Sequence, residues 1–382
     1  MKSAKTTTGL FFARKGTRLV AGIASAGVVA GIFVVAAAPA MAATDADCAP
    51  ANTVDTALFG TAADIQNLLD NPGVPVVCLS GTFVVPSTLT YDRDVTIYGL
   101  SAAVLDGADA VGILEDIGAG SALTVENLRM TRGNGTAGGA IRALSNLSTV
   151  VVRNSTFDNN TADNAGAIAG YSVFISNSTF VNNSAVGDPA LAGAILTFSG
   201  VIALSTFVDN STPSGNGSSI YYEDLAPLQL VGNIFASTVA VAHVSPFNGA
   251  SDEGGNIFST DSVNEGVTGP QPTSAFGVSS ALLFNGAVLA NNGGRTPTVA
   301  LYAGSPAVNF VPAGLLPSVI ADQRGVARDA RSDSGAYEYV PAASIPPTGI
   351  AATGVLGGVA ALLLAIGGLA LGVVRRSRPL QR

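Results

Sequence analysis

The chain has 382 residues, of which 48% are hydrophobic and only 12% charged, with 45 glycines, no tryptophan and a net charge of −8. All three lysines lie before residue 16 and four arginines lie after Val374. The intervening body therefore sets nine arginines against all 26 acidic residues, a net −17. Such a surface excludes a nucleic-acid partner, which needs clustered Lys and Arg, and calls for no cofactor beyond weak surface binding of Ca²⁺.

Residues 1–42 carry Lys2, Lys5, Arg14, Lys15 and Arg18, then an uncharged apolar run over 19–38, then Ala40-Met41-Ala42. That order predicts a secretory signal peptide cut between Ala42 and Ala43. The apolar run is also long enough to span a bilayer, so an uncleaved anchor is the alternative. In either case the body works outside the cytoplasm. Cys48 and Cys78 are the only cysteines, the number for one disulfide in an oxidising compartment. Closing a loop of about 30 residues is worth about 3 to 4 kcal/mol. A single His and no paired-ligand spacing argue against a metal site. Within the loop, Thr61 to Asp70 puts Ile65, Leu68 and Leu69 on one helical face, and Pro72-Gly73 stops it. Residues 43–75 thus read as an N-terminal cap over the open edge of whatever follows.

Residues 76–281 repeat themselves. Val152-Arg153-Asn154-Ser155-Thr156-Phe157-Asp158-Asn159-Asn160 returns around Phe180 and again around Phe207, and Gly-Ala-Ile recurs at Gly139, Gly166 and Gly193. A fixed period in this range means stacked units, none of which buries its apolar face alone. Alternating apolar and β-branched positions running into Asn or Gly read as short strands and turns. These features predict an all-β parallel β-helix with room for roughly eight turns, each rising about 4.8 Å. Asn154 and Asn177 would stack as an amide ladder, and Phe157, Phe180 and Phe207 as an aromatic row. Earlier strands are expected near Val76, Phe83, Val95, Val104 and Leu123, and looser ones near Leu230 and Phe258. Over roughly residues 76–260 the chain resembles the right-handed parallel β-helix family, including bacterial surface repeats with Gly-Gly-Ala-Ile and Asn-Ser-Thr-Phe phrases.

Residues 282–340 differ in character. They contain Asn291-Asn292-Gly293-Gly294-Arg295-Thr296-Pro297-Thr298, Gly304-Ser305-Pro306-Ala307-Val308, Asp322-Gln323-Arg324-Gly325 and Gly335-Ala336-Tyr337-Glu338. This set resembles the choice-of-anchor Q domain, which closes many bacterial surface β-helices. The resemblance implies a C-terminal cap without established catalysis. Asp333-Ser334-Gly335-Ala336 stands where that family has Asp-Ile-Gly-Ala, with one apolar contact fewer. Asp322, Arg324, Arg328 and Glu338 would pair charges over the last turn.

A linker and motif at 341–349 end in Ile345-Pro346-Pro347-Thr348-Gly349. An apolar stretch over 350–374 is long enough for a transmembrane helix, and the basic tail at 375–382 holds its end in the cytoplasm. This three-part order resembles the cell-wall sorting signal of Gram-positive surface proteins, Leu-Pro-any-Thr-Gly, with Ile345 in place of Leu. The resemblance implies that sortase, a membrane cysteine transpeptidase, cuts Thr348-Gly349 and joins Thr348 to a peptidoglycan amine. A plain C-terminal membrane anchor is the alternative.

β-Helices include polysaccharide lyases and glycoside hydrolases, but fold is not function. Such chemistry needs facing carboxylates or acids holding Ca²⁺ beside a base. The candidates are Asp92, Arg93 and Asp94, then Glu115 and Asp116, then Asp252 and Glu253; all fall in expected turns, and His243 stands alone. The sequence therefore favours a noncatalytic surface protein that presents a β-helical binding face to a glycan or a cell-surface ligand.

Overall fold

The computed structural model describes residues 43–341, apart from 214–216, 224–225, 239–241, 246–248, 261–264, 270 and 317–318. All of these belong to one compact unit, Ala40–Arg382. The expected signal peptide, the sorting motif Ile345 to Gly349, the apolar stretch and the basic tail lie outside the described residues. Among the described residues no helix is long and apolar enough to cross a membrane.

The described chain is a parallel β-solenoid of about 7 turns, slightly fewer than the residue spacing suggested. Each turn contributes a strand to three faces, and the parallel register stacks inward side chains into columns, at least one on each face. The first column runs Val77, Ile97, Val125, Val152, Ile175, Ile202 and Leu230. The second runs Phe83, Leu105, Met130, Phe157, Phe180, Phe207, Phe235 and Phe258. The third runs Leu89, Leu114, Ile141, Ile168, Ile195 and Ile220. None of these side chains is more than 3% exposed. Burying each one stabilises the fold by about 1.5 to 3 kcal/mol before conformational entropy is counted. The glycine of each Gly-Ala-Ile phrase is required by close approach. A Cβ on Gly166 would meet Gly193 O at 2.3 Å and Ser184 N at 2.4 Å. That crowding comes from a small outer sheet of Asn134–Ala137, Thr161–Asn164 and Ser184–Ala185, which the register holds beside the third face.

The amino-terminal end is closed by α1 (Ala62–Leu69), which begins at a capping box in which Thr61 and Asp64 satisfy each other's backbone amides. Ile65 and Leu69 are buried and Leu68 partly so. Gln66 bonds the backbone of Thr90 in both directions, so the helix stands where the third face would otherwise expose a strand edge. Cys48 and Cys78 are disulfide-bonded. The solenoid starts earlier than the sequence suggests, because Thr53–Asp55 pairs in parallel with Cys78, Leu79 and Ser80.

The segment after residue 279 does not sit over the last turn. It comprises α2 (Ser280–Leu283) and an antiparallel hairpin of Phe284–Ala290 and Thr298–Leu301, and it lies along the outer side of the second face. There Leu283, Phe284, Val299, Leu301 and Ala307 pack on Val181, Val208, Ile234, Ala236 and Ile257. The cause is local. In the later turns both neighbours of the inward Phe, as in Ile234-Phe235-Ala236, turn apolar side chains outward, and such a doubly apolar strand needs cover on both faces.

Candidate functional site

The repeated phrases place two kinds of asparagine, and the structure separates them. Asn154 and Asn177 hold left-handed backbone conformations, φ 49° and 47°, in a slot that Asn127, Leu204, Gly232 and Gly255 fill in other turns. Asparagine tolerates that conformation at low cost, which accounts for its recurrence. The expected amide ladder therefore does not run through Asn154 and Asn177. Asn177 instead donates to the Ala321 carbonyl (2.9 Å) and accepts from Arg328 (2.9 Å), tying the C-terminal segment to the solenoid.

The amide ladder runs six residues further on. Asn160 Nδ2 donates to Asn183 Oδ1 and Asn183 Nδ2 to Asn210 Oδ1, each at 2.9 Å. Each amide also donates to a carbonyl of the turn below, those of Met130, Phe157 and Phe180. Asn233 and Asn256 form a second short ladder at 3.0 Å, continuing a column of Ser155, Ser178 and Ser205. Beside these ladders the rings of Phe157, Phe180 and Phe207 stack at 4.9 and 4.8 Å, and the stack continues through Phe235, Phe258 and Phe276.

The charged candidates for catalysis are dispersed. Arg93 donates to the Leu68 and Leu69 carbonyls and so caps the end of α1. Asp94 accepts from Ala122 N, and Asp92 is exposed. Asp116 is buried and accepts from Ser148 Oγ at 2.5 Å and Gly118 N at 2.9 Å. Asp252 stands on the inward column above Leu230, 1% exposed, and takes bonds from Gly254 N, Asn256 Nδ2, Gln271 N and Ser274 Oγ. Glu253 accepts from Ser251 Oγ and Gln229. His243 is 1% exposed, its Nε2 lies 2.8 Å from Ser259 Oγ, and burial holds its pKa at about 3. Among the described residues no group of three or more His, Cys, Asp or Glu is placed to hold a metal ion.

The C-terminal segment carries two buried ion pairs, Arg324–Asp322 at 2.7 Å and Arg328–Glu338 at 3.1 Å. They lie beside the middle turns rather than over the last one, through Asn177 and through Gln323, which accepts from Thr179 Oγ1 and donates to Thr156 Oγ1. Burial raises the pKa of Glu338, opposed by the Asp333 and Asp329 backbone amides and the Arg328 charge, and lowers that of Arg328, opposed chiefly by the charges of Glu338, Asp322 and Asp333.

The surface best suited to a ligand is the outer side of the third face. Register places Thr90, Glu115, Arg142, Ala169, Leu196 and Tyr221 in one outward column. Glu115 and Arg142 form a half-exposed ion pair in a cleft walled by Asn134, Gly135, Ala137 and Gly138. Beyond it, Ala165, Ala169, Ala192 and Leu196 form a small buried apolar cluster, against which the partly buried Ala137, Phe198 and Tyr221 pack. Tyr171 and Phe198, both half-buried, stack at 5.5 Å at its edge. The sequence holds a signal for this row that its strand pattern does not advertise. Tyr171 and Phe198 each stand five residues after the glycine of a Gly-Ala-Ile phrase. No family model matches the chain, and no curated protein or solved structure does either.

Proposed function

We propose that this chain is exported, attached to the cell wall through Thr348 by a sortase, and presents its solenoid as a right-handed rod that binds a glycan or cell-surface ligand. The observation that carries the binding role is the outer side of the third face, with the Glu115–Arg142 ion pair toward one end and the half-buried rings of Tyr171, Phe198 and Tyr221 toward the other. Partly exposed planar rings suit the flat C–H faces of sugar rings, and Glu115 and Arg142 offer hydrogen bonds to hydroxyls. What supports binding over catalysis is the employment of the candidate acids. Asp116 and Asp252 are spent on buried backbone and hydroxyl donors, and Glu115 is paired with Arg142 rather than with a second carboxylate. The terminal order of motif, apolar stretch and basic tail supports wall attachment, and the lateral position of residues 279–340 lets the chain leave the solenoid from its side.

The test is a glycan array probed with the wall-released protein, alongside an assay for reducing ends and unsaturated sugar products. Phe198→Ala and Tyr221→Ala are each expected to weaken binding about threefold to tenfold, the worth of one aromatic contact. Release of sugar products that is lost in Glu115→Gln would replace this reading with that of a lyase or hydrolase.

A further inference from the structure

Glu126 projects outward from the first face, yet it is only 5% exposed because the segment beginning at Ala43 crosses it. Its Oε2 accepts a hydrogen bond from the backbone nitrogen of Ala43 at 3.2 Å, and Ala43 is itself 8% exposed. That segment is held in three more places. Asp45 accepts from Tyr98 Oη at 2.9 Å and pairs with Arg295 at 2.8 Å, and Cys48 is bonded to Cys78. Among the described residues no cation forms an ion pair with Glu126. Arg153 and Arg295 are near enough to favour its charge only at a distance, and Arg153 Nη1 is buried without a partner. A buried carboxylate ordinarily has a cation against it, and this one faces a single neutral amide.

We propose that Glu126 is the receptor for the α-ammonium of Ala43, created when the signal peptide is removed. In that hydrolysis water adds across the Ala42–Ala43 amide, Ala42 leaves with the carboxylate, and Ala43 keeps the nitrogen, which takes a proton. The product converts one neutral hydrogen bond into a buried ion pair, so export completes this corner of the fold. The groups facing the new terminus are Glu126, Asp45, Tyr98, Arg153 and Arg295. The inference rests on the export reading and adds a receptor to it.

The sequence supplies an unusually clean assay. After Lys15 the chain contains no lysine, so a chain cut after Ala42 has its α-amine as its sole primary amine. The full-length gene is expressed in a secreting host, and the product is treated with an amine-reactive ester near about pH 7.5, where a free α-amine is substantially deprotonated and reactive. Peptide mapping then follows labelling at Ala43. The expected result is labelling at least tenfold slower in the folded protein than in urea. Glu126→Gln, which keeps the shape and removes the charge, is expected to recover most of that factor. Should Glu126→Gln not fold, Glu126→Asp, with its carboxylate withdrawn by one methylene, is expected to label at an intermediate rate. A secreted protein whose first residue is not Ala43 overturns both the cleavage site and the receptor. A protein that begins at Ala43 but labels equally fast folded and unfolded leaves the cleavage standing and removes the receptor, as does a Glu126→Gln variant that folds and stays protected.

Discussion

Replacing Asn183 with alanine separates the two asparagine roles by magnitude. The Asn183 side chain is fully buried, donates to Phe157 O and Asn210 Oδ1 at 2.9 Å each, and accepts from the Asn160 backbone at 3.1 Å and the Asn160 amide at 2.9 Å. Alanine leaves the Asn160 N–H and part of its amide without partners in a site closed to water, and removes a donor from the Phe157 carbonyl. Each unmet buried group costs about 1 to 3 kcal/mol, so with partial relaxation the loss comes to about 3 to 5 kcal/mol. Asn154 is the matched control. Its slot requires a left-handed backbone, φ 49°, that glycine adopts freely. Asn154→Gly is therefore expected within about 0.5 kcal/mol of the parent, and Asn154→Ala to cost about 1 kcal/mol. Urea unfolding of the three variants followed by far-ultraviolet circular dichroism provides the comparison. If Asn154→Gly costs as much as Asn183→Ala, the assignment of backbone and ladder roles is wrong.

Phe207→Ala opens a cavity between the rings of Phe180 and Phe235, for an expected cost of about 3 to 5 kcal/mol in the same unfolding assay. Reduction of the Cys48–Cys78 bond, which spans 30 residues, is expected to cost about 3 to 4 kcal/mol, and thiol titration of the oxidised, denatured protein should find no free thiol. His243 has a folded pKa of about 3 against an ordinary 6.5, so below 6.5 the unfolded chain takes up a proton that the folded chain refuses. Stability should then be fully present above pH 6.5 and fall by about 1.4 kcal/mol per pH unit as pH drops toward the folded value, a slope that His243→Gln removes. The neighbouring Glu265, whose pKa burial raises, works in the opposite sense, because a raised carboxylate pKa regains stability as pH falls toward 4.5. If Thr348 is joined to the wall, Thr348→Ala is expected to move the protein from the detergent-resistant wall fraction to the detergent-soluble membrane fraction, because it removes the threonine side chain of the sorting motif at the residue whose backbone carbonyl would form the acyl intermediate. A wild-type protein that already extracts fully with detergent would make the apolar stretch itself the anchor.

The sequence by itself determined the parts of this protein that depend on nearest neighbours. A solenoid turn contacts mainly the turns above and below, so a phrase repeated at a regular period also states the packing, and the Phe157, Phe180 and Phe207 column follows from the period. The pairing of Cys48 with Cys78 needed only their number, and α1 only its apolar spacing and stop signals. Tertiary structure decided which asparagine serves the backbone and which forms the ladder. In Asn159-Asn160 and Asn182-Asn183 both residues repeat equally well, and only the left-handed φ of the first turns the amide of the second inward. It also decided where residues 279–340 lie. Their contacts, such as Thr156 to Pro297 and Gln323 to Ser155, join residues 141 and 168 apart, a separation at which no periodicity connects the partners. What called that segment to the side of the solenoid was the outward apolar surface of Val181, Val208, Ile234 and Ile257, which exists as one surface only once the turns have stacked.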